Sequence, residues 1–430
     1  MIMKKTLLLA SCLLLLASSA WARIYIPVDQ PSDKLFPIAV TELVGLDGMR
    51  GSKLTEKVPD IIKNDLTISG YFQVIPDSAF LDASEALTSD TINFAKWTAL
   101  EAGGLVKGSI KRKGGEYTVQ LKLFDPYSAQ LLVGKQYTSN EKNLRSVAHR
   151  FSDDIMEALT GKRGIFNTKI AYTAMSGRGN KPIYVMDVDG ENNFRVTPDS
   201  SINLGPSWSP DGSMLTFASY KKGNPEIFFV NLGNGNMRQL TNNKNTNITP
   251  AFLTNNLIYY ASSLGYSTEL FTKSIRGGKE RQLTSNSGIN LAPRFSKDGG
   301  TMVYSSTLPG RLHVFRTTPE GGLGTRLTFV GVHNDSPDIS PDGTKITFCG
   351  QDSGTFDIFV MNSDGSNIQR LTIDSGSNEH PRWSPDGRYI VFSSTRKEGA
   401  GIYMMRADGA NQVKMSKGGG QLPDWGPWLK

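Results

Sequence analysis

The hydrophobic pattern of the C-terminal two thirds of the chain is a repeat. The stretch "NLGPSWSPDGSMLTFAS" begins at Asn203, and "NEHPRWSPDGRYIVFSS" begins at Asn378. Each combines short apolar alternations with a Ser-Pro-Asp-Gly turn signal, which predicts two strands joined by a hairpin. Arg, Lys or Gln, then an aliphatic or Met residue, and then Thr or Ser recur every 43 or 44 residues, ending at Thr197, Thr241, Thr284, Thr328, Thr372 and Ser416.

Two further markers keep the same register. An aliphatic residue followed by an aromatic one occurs six times, from Ile183-Tyr184 to Ile402-Tyr403, and Pro-x-apolar occurs six times, from Pro206 to Pro423. Each unit contains four short strand-like pieces, and a period near 44 residues with four strands is typical of a β-propeller blade. Stacking the units around an axis buries the faces that one sheet alone would expose. The sequence therefore predicts an all-β six-bladed β-propeller over residues 166–430.

The order of the markers predicts how the ring closes. The repeat region begins at Ile170-Ala171-Tyr172, which is a second strand, and it ends with "PDWGPW", which is a first strand. The sixth blade should therefore take one strand from the C-terminus and three from near residue 170.

One copy differs: "TPAFLTNNLIYY" has Asn255-Asn256 in place of Pro-Asp-Gly, and we expect a tighter turn because Asn tolerates the left-handed region.

Asparagines precede the blade prolines by three residues at Asn203, Asn247, Asn290, Asn334 and Asn378, and Gly420 takes this place in the sixth copy. The loops that contain them lead from the outer strand of one blade to the inner strand of the next, so they should gather at one mouth of the central channel. Two compatible interpretations follow. Each Asn caps its own turn, or the polar loops together form a docking face on rigid supports.

The region before the propeller alternates strand and helix patterns. Over residues 36–165 we predict a small α/β domain with helices in "GSKLTEKVPDIIKNDLTISG", "TINFAKWTALEAGG" and "NEKNLRSVAHRFSDDIMEALTGKRG". The first should end at Gly70, and the last contains an apolar stripe that ends at Gly161 and is interpreted as core. His149 lies beside the stripe and is interpreted as an interface histidine rather than a catalytic one.

The N-terminus predicts export. Lys4-Lys5, the apolar run 6–17 and an Ala-x-Ala ending at Ala22 are typical of a cleaved signal peptide over residues 1–22. A lipoprotein box ending at Cys12 is the alternative. Later stretches are not apolar enough to span a membrane, and Cys349 alone would remain after cleavage, interpreted as a buried strand thiol. We expect a monomer.

The composition excludes few classes of function, but the charge distribution bears on which partners are expected. The chain has 430 residues, 38% of them hydrophobic, and a formal net charge of +7. The basic residues are scattered, and their densest cluster, "KGSIKRK", is typical of a hairpin tip, so nucleic acid is not expected as a partner.

Catalytic motifs are missing from the sequence. There is no Gly-x-Ser-x-Gly elbow, the four histidines lack metal-ligand spacing, and no phosphate-binding glycine loop occurs. We therefore assign no catalytic residue, cofactor or metal. The alternative function is an exported propeller hydrolase or lactonase with a metal in the channel, and its candidate ligands are Asn334, Asp335, Asp338, Asn378, Glu379 and Asp424.

The whole mature chain resembles the TolB family of the Tol-Pal system. Beyond the "PxWSPDG" repeats, the similarity lies in "RIYIPVDQPSDKLFPIAV", "IIKNDLTISGYFQVI", "AKWTALEAGGLVKG" and "DDIMEALTGKRGIFNTKIAYTA". Gly103-Gly104 departs from the bulkier helix-to-strand link common in the family. The resemblance implies a periplasmic adaptor, not an enzyme, that supports outer-membrane integrity and constriction at cell division.

The resemblance also implies partners and their sites. Pal, the peptidoglycan-associated lipoprotein, would bind at the channel mouth, and TolA would bind at residues 23–35, with other envelope proteins as further partners. By position, the Pal-binding residues would be Thr246, Asn247, Thr249, Leu291, Asn334 and His380. Thr246 stands where the family commonly has His.

The N-terminal segment has physical properties that suit such a role. In "RIYIPVDQPSD" the apolar Ile24, Ile26 and Val28 alternate with other residues, which is a strand pattern without a partner strand nearby. Such a segment can add to the sheet edge of another protein. It can equally pack on its own α/β domain, and exchange between the two states would make a switch. The residues expected to bind TolA are Arg23, Ile24, Tyr25, Ile26, Val28 and Asp29.

Overall fold

The structure is a computed structural model, and it describes residues 26, 34–81, 85–175, 179–198, 200–308, 310–351 and 354–429. It confirms an N-terminal α/β unit followed by a six-bladed β-propeller. Within these ranges, no helix is both long enough and apolar enough to cross a membrane.

The N-terminal unit is a six-stranded mixed sheet covered by helices. Strands β1 and β4 are parallel neighbours, β3 lies on the other side of β1, and β4, β5 and β6 form an antiparallel meander with β2 beside β4. The strands are β1 (Phe36–Val40), β2 (Val44–Leu46), β3 (Phe72–Val74), β4 (Gly104–Lys113), β5 (Glu116–Asp125) and β6 (Gln130–Ser139). The helices are α1 (Leu54–Ser69), α2 (Phe94–Thr98) and α3 (Leu144–Thr160), with 3₁₀ turns at Asp77–Ala79 and Glu141–Asn143.

The two long helices form where their apolar stripes can be buried. Helices α1 and α3 pack on each other, and the predicted stripe of α3 is buried along its length. Each ends at a left-handed glycine, Gly70 with φ 73° and Gly161 with φ 71°, as predicted. Helix α2 is shorter than its pattern predicted, because Glu101 is left-handed (φ 56°) and the Ala102 N–H turns back to the Trp97 carbonyl.

Each of the first five blades is a four-stranded antiparallel sheet in chain order. Blade 1 has β10 (Asn203–Trp208), β11 (Met214–Lys222), β12 (Asn224–Asn231) and β13 (Met237–Gln239). Blade 2 has β14 (Asn247–Thr254), β15 (Leu257–Leu264), β16 (Ser267–Ser274) and β17 (Arg281–Gln282). Blade 3 has β18 (Asn290–Phe295), β19 (Met302–Ser306), β20 (His313–Thr318) and β21 (Gly321–Arg326). Blade 4 has β22 (His333–Ile339), β23 (Lys345–Gln351), β24 (Phe356–Asn362) and β25 (Gln369–Arg370). Blade 5 has β26 (Asn378–Trp383), β27 (Tyr389–Ser394), β28 (Gly401–Arg406) and β29 (Val413–Lys414).

The sixth blade closes the ring as predicted. Its strands are β30 (Gly420–Trp425), β7 (Lys169–Ala174), β8 (Ile183–Asp187) and β9 (Phe194–Arg195), in that order across the sheet. The C-terminal strand β30 pairs with β7, with Trp425 opposite Ile170. The ends of the propeller sequence are therefore held together by a strand ladder.

The Asn255-Asn256 turn is tight, but the predicted reason was wrong. Thr254 pairs with Leu257 across a two-residue connection, yet neither Asn has a positive φ. The strand register shifts between Phe252 and Thr254, so an irregularity in the ladder absorbs the missing residue.

The propeller has an upper face and a lower face. The upper face carries the loops that enter each inner strand, and the lower face carries the Ser-Pro-Asp-Gly turns that leave it. The N-terminal unit packs on the lower face: Tyr389 Oη donates to the Ser69 carbonyl (3.1 Å), and Asn411 Nδ2 donates to the Ile68 carbonyl (2.9 Å). One buried apolar cluster runs from this unit into blades 5 and 6. The upper face lies at the opposite end of the channel.

Candidate functional site

The upper mouth of the channel is built by six equivalent bulges. In every inner strand the pairing register shifts around the blade proline, and the residue before that proline has a positive φ between 48° and 60°. These left-handed residues are Gly205, Thr249, Ala292, Ser336, His380 and Leu422. Five of them are not glycine, and such a conformation costs roughly 1–3 kcal/mol and persists only where the surrounding structure imposes it. A ring of strained backbone therefore surrounds the mouth.

The repeated asparagines support the mouth from below the surface. Asn247 Nδ2 donates to Glu226 Oε2 of the preceding blade (2.9 Å), and Asn290 Nδ2 donates in the same way to Glu269 (3.0 Å). The threonine of the repeat completes the network, since Thr284 Oγ donates to Glu269 (2.6 Å). Asn378, Asp357 and Thr372 repeat the arrangement in blades 4 and 5. These Asn side chains join neighbouring blades, which is a wider role than capping their own turns.

The six residues expected to bind Pal all lie at this mouth, but at different depths. Asn247 is fully buried and Asn334 is 5% exposed, so their side chains act within the fold. Thr246 is exposed, whereas Thr249, Leu291 and His380 are half-buried. Thr249 Oγ accepts the Ala292 N–H (3.0 Å), which links two neighbouring bulges. Thr246, Thr249, Leu291 and His380 are thus accessible in part, and the assignment to Pal stays a prediction.

Burial controls the charges at the mouth. Burial, together with the Arg382 cation, lowers the pKa of His380 to about 4, so its ring is neutral near pH 7. Its Nδ1 lies 3.2 Å from Ser393 Oγ. Burial, and then the Asp335 carboxylate, raises the pKa of Glu379. Burial acts in the same direction on Asp335, but the His333 ring, Ser305 and the Ser336 N–H outweigh it and lower the pKa of that carboxyl. One side of the mouth is therefore mildly acidic.

An apolar groove between blades 3 and 4 was not predicted from the sequence. Ile289, Leu291, Leu312 and Val332 line it together with Arg311. The adjoining loop adds Phe329 at 71% and Val330 at 66% exposure. Exposed apolar groups gathered in this way are typical of protein-binding surfaces. The signal was present in "TFVGV" at residues 328–332, which is apolar where the corresponding loops "TNNKNT" and "TSNSGI" are mainly polar.

The residues suggested for a channel metal are not arranged to hold one. Asp338 and Asp424 lie at the narrow middle of the channel, where Arg294 Nη1 is 3.1 Å from Asp424 and Arg382 Nε is 3.6 Å from it. Each carboxylate also accepts a tryptophan backbone N–H, at 2.8 Å. Two guanidinium groups beside these carboxylates would repel a cation. Asn334 and Asn378 are committed to the joints between blades.

A different cluster has metal-like spacing, at the contact between the two units. Ligand atoms of Asp65, His149 and Asp189 lie within 4.8 Å of one another. His149 Nδ1 is 2.9 Å from Asp65, and Arg145 pairs with Asp189 and with Asp187. Lys169 also pairs with Asp187. Three basic groups therefore balance three carboxylates, and the cluster is an ion-pair network that joins α1 and α3 to blade 6.

Of the six residues expected to bind TolA, only Ile26 is among the described residues. Ile26 is 8% exposed in the shared apolar cluster, and its N–H donates to the Leu159 carbonyl at the end of α3 (2.8 Å). Arg23, Ile24, Tyr25, Val28 and Asp29 lie outside the described residues. The contact of Ile26 is of the kind expected if the segment packs on its own domain.

The fold and the upper face together define a class of protein. In this class, an α/β domain is joined to the lower face of a six-bladed propeller, and the upper face has the features of a protein interface. The chain matches the family described as TolB beta propeller domain over residues 156–429 and the TolB amino-terminal domain over residues 24–132. The first match covers more than half of the chain, so the chain belongs to the TolB family.

Relatives support this membership. The chain is 33% identical over 254 residues to the Tol-Pal system protein TolB of Desulfosudis oleivorans, and the matched region is 58% of each chain. It is 35% identical over 209 residues to that of Syntrophotalea carbinolica, which covers 48% of each. The matched regions thus span about half to three fifths of the curated relatives. The crystal structure of TolB from Acinetobacter baumannii has the same fold, with a TM-score of 0.80, 24% identity, and coverage of 92% of this chain and 97% of that one.

Proposed function

We propose that this protein is a periplasmic adaptor of the Tol-Pal system that binds Pal at the upper mouth of its propeller and is not an enzyme. The observation that carries the proposal is the division of the two faces. The N-terminal unit covers part of the lower face, whereas the upper face presents a strained, rigid rim beside an exposed apolar groove. Membership of the TolB family and relatives named as Tol-Pal system proteins support this choice of partner.

The rigidity of the rim suits it to binding a folded partner. Because the left-handed residues are fixed by bulges and by Asn–acid pairs between blades, little backbone ordering would be needed on association. Leu291 and Val332 would supply apolar contact, and the neutral His380 would avoid the cost of burying a charge.

The second partner in the proposal is TolA, bound by the N-terminal residues 23–29 through strand addition. Its support is the alternating sequence "RIYIPVD", a strand pattern of the kind that can add to the sheet edge of another protein. Holding Pal and TolA together would connect the outer membrane to an inner-membrane protein. The protein would thereby support outer-membrane integrity and constriction during cell division.

The test is a capture experiment from crosslinked cell envelopes with matched variants. We expect wild type to capture Pal and TolA, and a form lacking residues 23–34 to capture Pal alone. Leu291→Asp in the groove should reduce Pal capture about tenfold or more, because a charge would be buried against the partner. Leu323→Asp, at a position 93% exposed in β21, is the control and should capture both. Pal capture that Leu291→Asp leaves unchanged would contradict the proposed face.

A further inference from the structure

The lower mouth of the channel is a funnel with apolar walls. Each inner strand has a bulky residue at or near its lower end, and together these residues surround a cavity of about 550 Å³. They are Trp208, Phe252, Phe295, Ile339, Trp383 and Trp425. This volume lies in the range of small-molecule sites, which are typically apolar pockets with a few converging polar groups.

The tryptophans present no hydrogen-bond donor to the cavity. Trp208 Nε1 donates to the Asp424 carbonyl (3.2 Å), and Trp383 Nε1 donates to the Asp338 carbonyl (3.3 Å). Trp425 Nε1 donates to Thr168 (2.8 Å), and Trp428 at the rim donates to the Gly164 carbonyl (2.8 Å). Since these four indole N–H groups are already used, the tryptophan side chains offer only their carbon surfaces to the cavity.

The floor, in contrast, is charged and incompletely paired. Arg294 reaches across the ring to Asp424 (3.1 Å) and Ser207 (3.0 Å). Arg382 is 7% exposed and donates from Nη1 to the carbonyls of Ser336 and Pro381. Its Nε is buried without a hydrogen-bond partner among the described residues, because the closest carboxylate oxygen, on Asp424, is 3.6 Å away.

The balance of charge favours an anion. Arg294, Arg382 and Lys297 line the funnel with Asp338 and Asp424, which gives three positive against two negative groups. Burial, followed by the repulsion of Arg294, lowers the pKa of Arg382 to about 10. A bound carboxylate close to the two guanidinium groups would relieve that repulsion.

We propose that this funnel is a second binding site, for a small monocarboxylate with an apolar body. The carboxylate would lie at the Arg382 floor and the apolar body against the aromatic walls. Entry would be past Lys297 and Trp428, which also line the cleft between the propeller and the N-terminal unit. Occupancy would therefore be sensed at the contact of the two units, away from the face proposed for Pal.

Calorimetric titration of the purified two-domain protein with 3-phenylpropionate and its neutral amide tests the site. We expect saturable one-to-one binding of the acid, with the amide at least about tenfold weaker, as for loss of a charge-assisted hydrogen bond. Arg382→Gln should bring the affinity for the acid down to that of the amide. Glu379→Gln at the upper mouth is the control and should bind the acid like wild type.

Three results would overturn the proposal: no saturable binding of the acid, equal affinities for acid and amide, or an Arg382→Gln protein that is folded and binds the acid as wild type does. If Arg382→Gln does not fold, Lys297→Met at the exposed rim replaces it. That variant should bind the acid several-fold more weakly than wild type and should bind the amide with unchanged affinity. Equal effects on both probes would again overturn the carboxylate assignment.

Discussion

The two ends of the inner strands differ sharply although one sequence repeat builds them all. At the upper end, the backbone is strained, the asparagines are buried in joints between blades, and the exposed surface combines an apolar groove with acidic groups. At the lower end, large aromatic residues enclose a funnel, and the α/β unit packs beside it. The comparison teaches that residues at repeated positions mainly hold the ring together, whereas residues at positions that vary between copies determine the surface chemistry of each face.

The position after each of the five repeated asparagines, and after Gly420 in the sixth copy, illustrates this point. It is occupied by Leu204, Ile248, Leu291, Asp335, Glu379 and Gln421 in the six blades. Equivalent backbone thus presents apolar residues on one side of the upper mouth and acidic residues on the other. Such asymmetry would give a docked partner a single orientation.

The largest expected effect comes from removing β30, the inner strand of the sixth blade, which runs from the upper face to the lower face. Truncation before Gly420 removes β30, its ladder with β7, and the Asp424 carboxylate that pairs with Arg294 and Arg382. Breaking a buried pair by removing one partner costs about 3–5 kcal/mol by itself. We expect no cooperative unfolding transition by circular dichroism. Tyr266→Ala, at a fully exposed loop position, is the control and should unfold like wild type. A truncated protein with the wild-type midpoint would contradict closure by β30.

The ion-pair network at the lower face predicts a pH-dependent stability. Burial acts to lower the pKa of His149, but Asp65, Asp187 and Asp189 outweigh it and raise that pKa to about 10, from about 6.5 when unfolded. Since the folded-state pKa is raised, the stabilisation is complete below pH 6.5 and is lost as pH rises toward 10. Burial acts to lower the pKa of the neighbouring Arg145, but Asp189 and Asp187 outweigh it and raise that pKa, so this group stays charged over the range.

We therefore expect the wild-type free energy of unfolding to fall by roughly 2–4 kcal/mol between pH 6.5 and 10, relative to His149→Gln, as measured by urea titrations. Upper-mouth His380 gives the matched comparison, because its lowered pKa predicts no such loss in this range. Parallel pH profiles for wild type and His149→Gln would show that the network does not hold a charged histidine.

Two neighbouring residues at the upper mouth distinguish a side chain that stabilises the fold from one that only lies on the surface. Asn247→Ala removes the hydrogen bond to Glu226 and leaves a buried carboxylate short of a donor, so we expect a loss of about 1–3 kcal/mol in the free energy of unfolding. Thr246→Ala changes an exposed side chain one residue earlier and should alter stability by less than about 0.5 kcal/mol. Equal urea midpoints for the two variants would mean that the asparagine does not support the rim.

The smallest effect should come from the strained rim itself. Ala292 has φ 52°, so Ala292→Gly should stabilise the fold by about 1 kcal/mol or less, after the entropy cost of glycine is subtracted. Ala261→Gly, in the middle of β15, is the opposite control and should destabilise. A destabilised Ala292→Gly protein in the same urea titrations would show that the left-handed position carries no strain.

Much of this architecture could be predicted because the repeat fixes it. Six copies of the Thr, Pro and aromatic markers set the blade number, and the order of the first and last strands set the closure at β30 and β7. The α3 stripe and the stops at Gly70 and Gly161 followed from helical periodicity and glycine chemistry.

The rest depends on contacts between residues distant in sequence. Nothing local shows that Asn247 reaches Glu226 of the previous blade, or that Arg294 crosses the channel to Asp424. The short α2 and the Asn255-Asn256 turn were mispredicted in detail, because a left-handed Glu101 ends the helix and a register shift in the ladder shapes the turn. The groove at Leu291 and Val332 appears only when blades 3 and 4 are placed side by side.

The most direct test of the account is to ask which end of the channel touches Pal in living cells. A photocrosslinking amino acid would replace Thr246, which is exposed on the upper face, or Asp342, which is exposed in a lower-face turn. Irradiation followed by mass spectrometry of the adducts would identify the neighbours. The account predicts a Pal adduct from position 246 and none from position 342. A Pal adduct from position 342 alone would contradict it and would place the partner at the funnel side of the propeller.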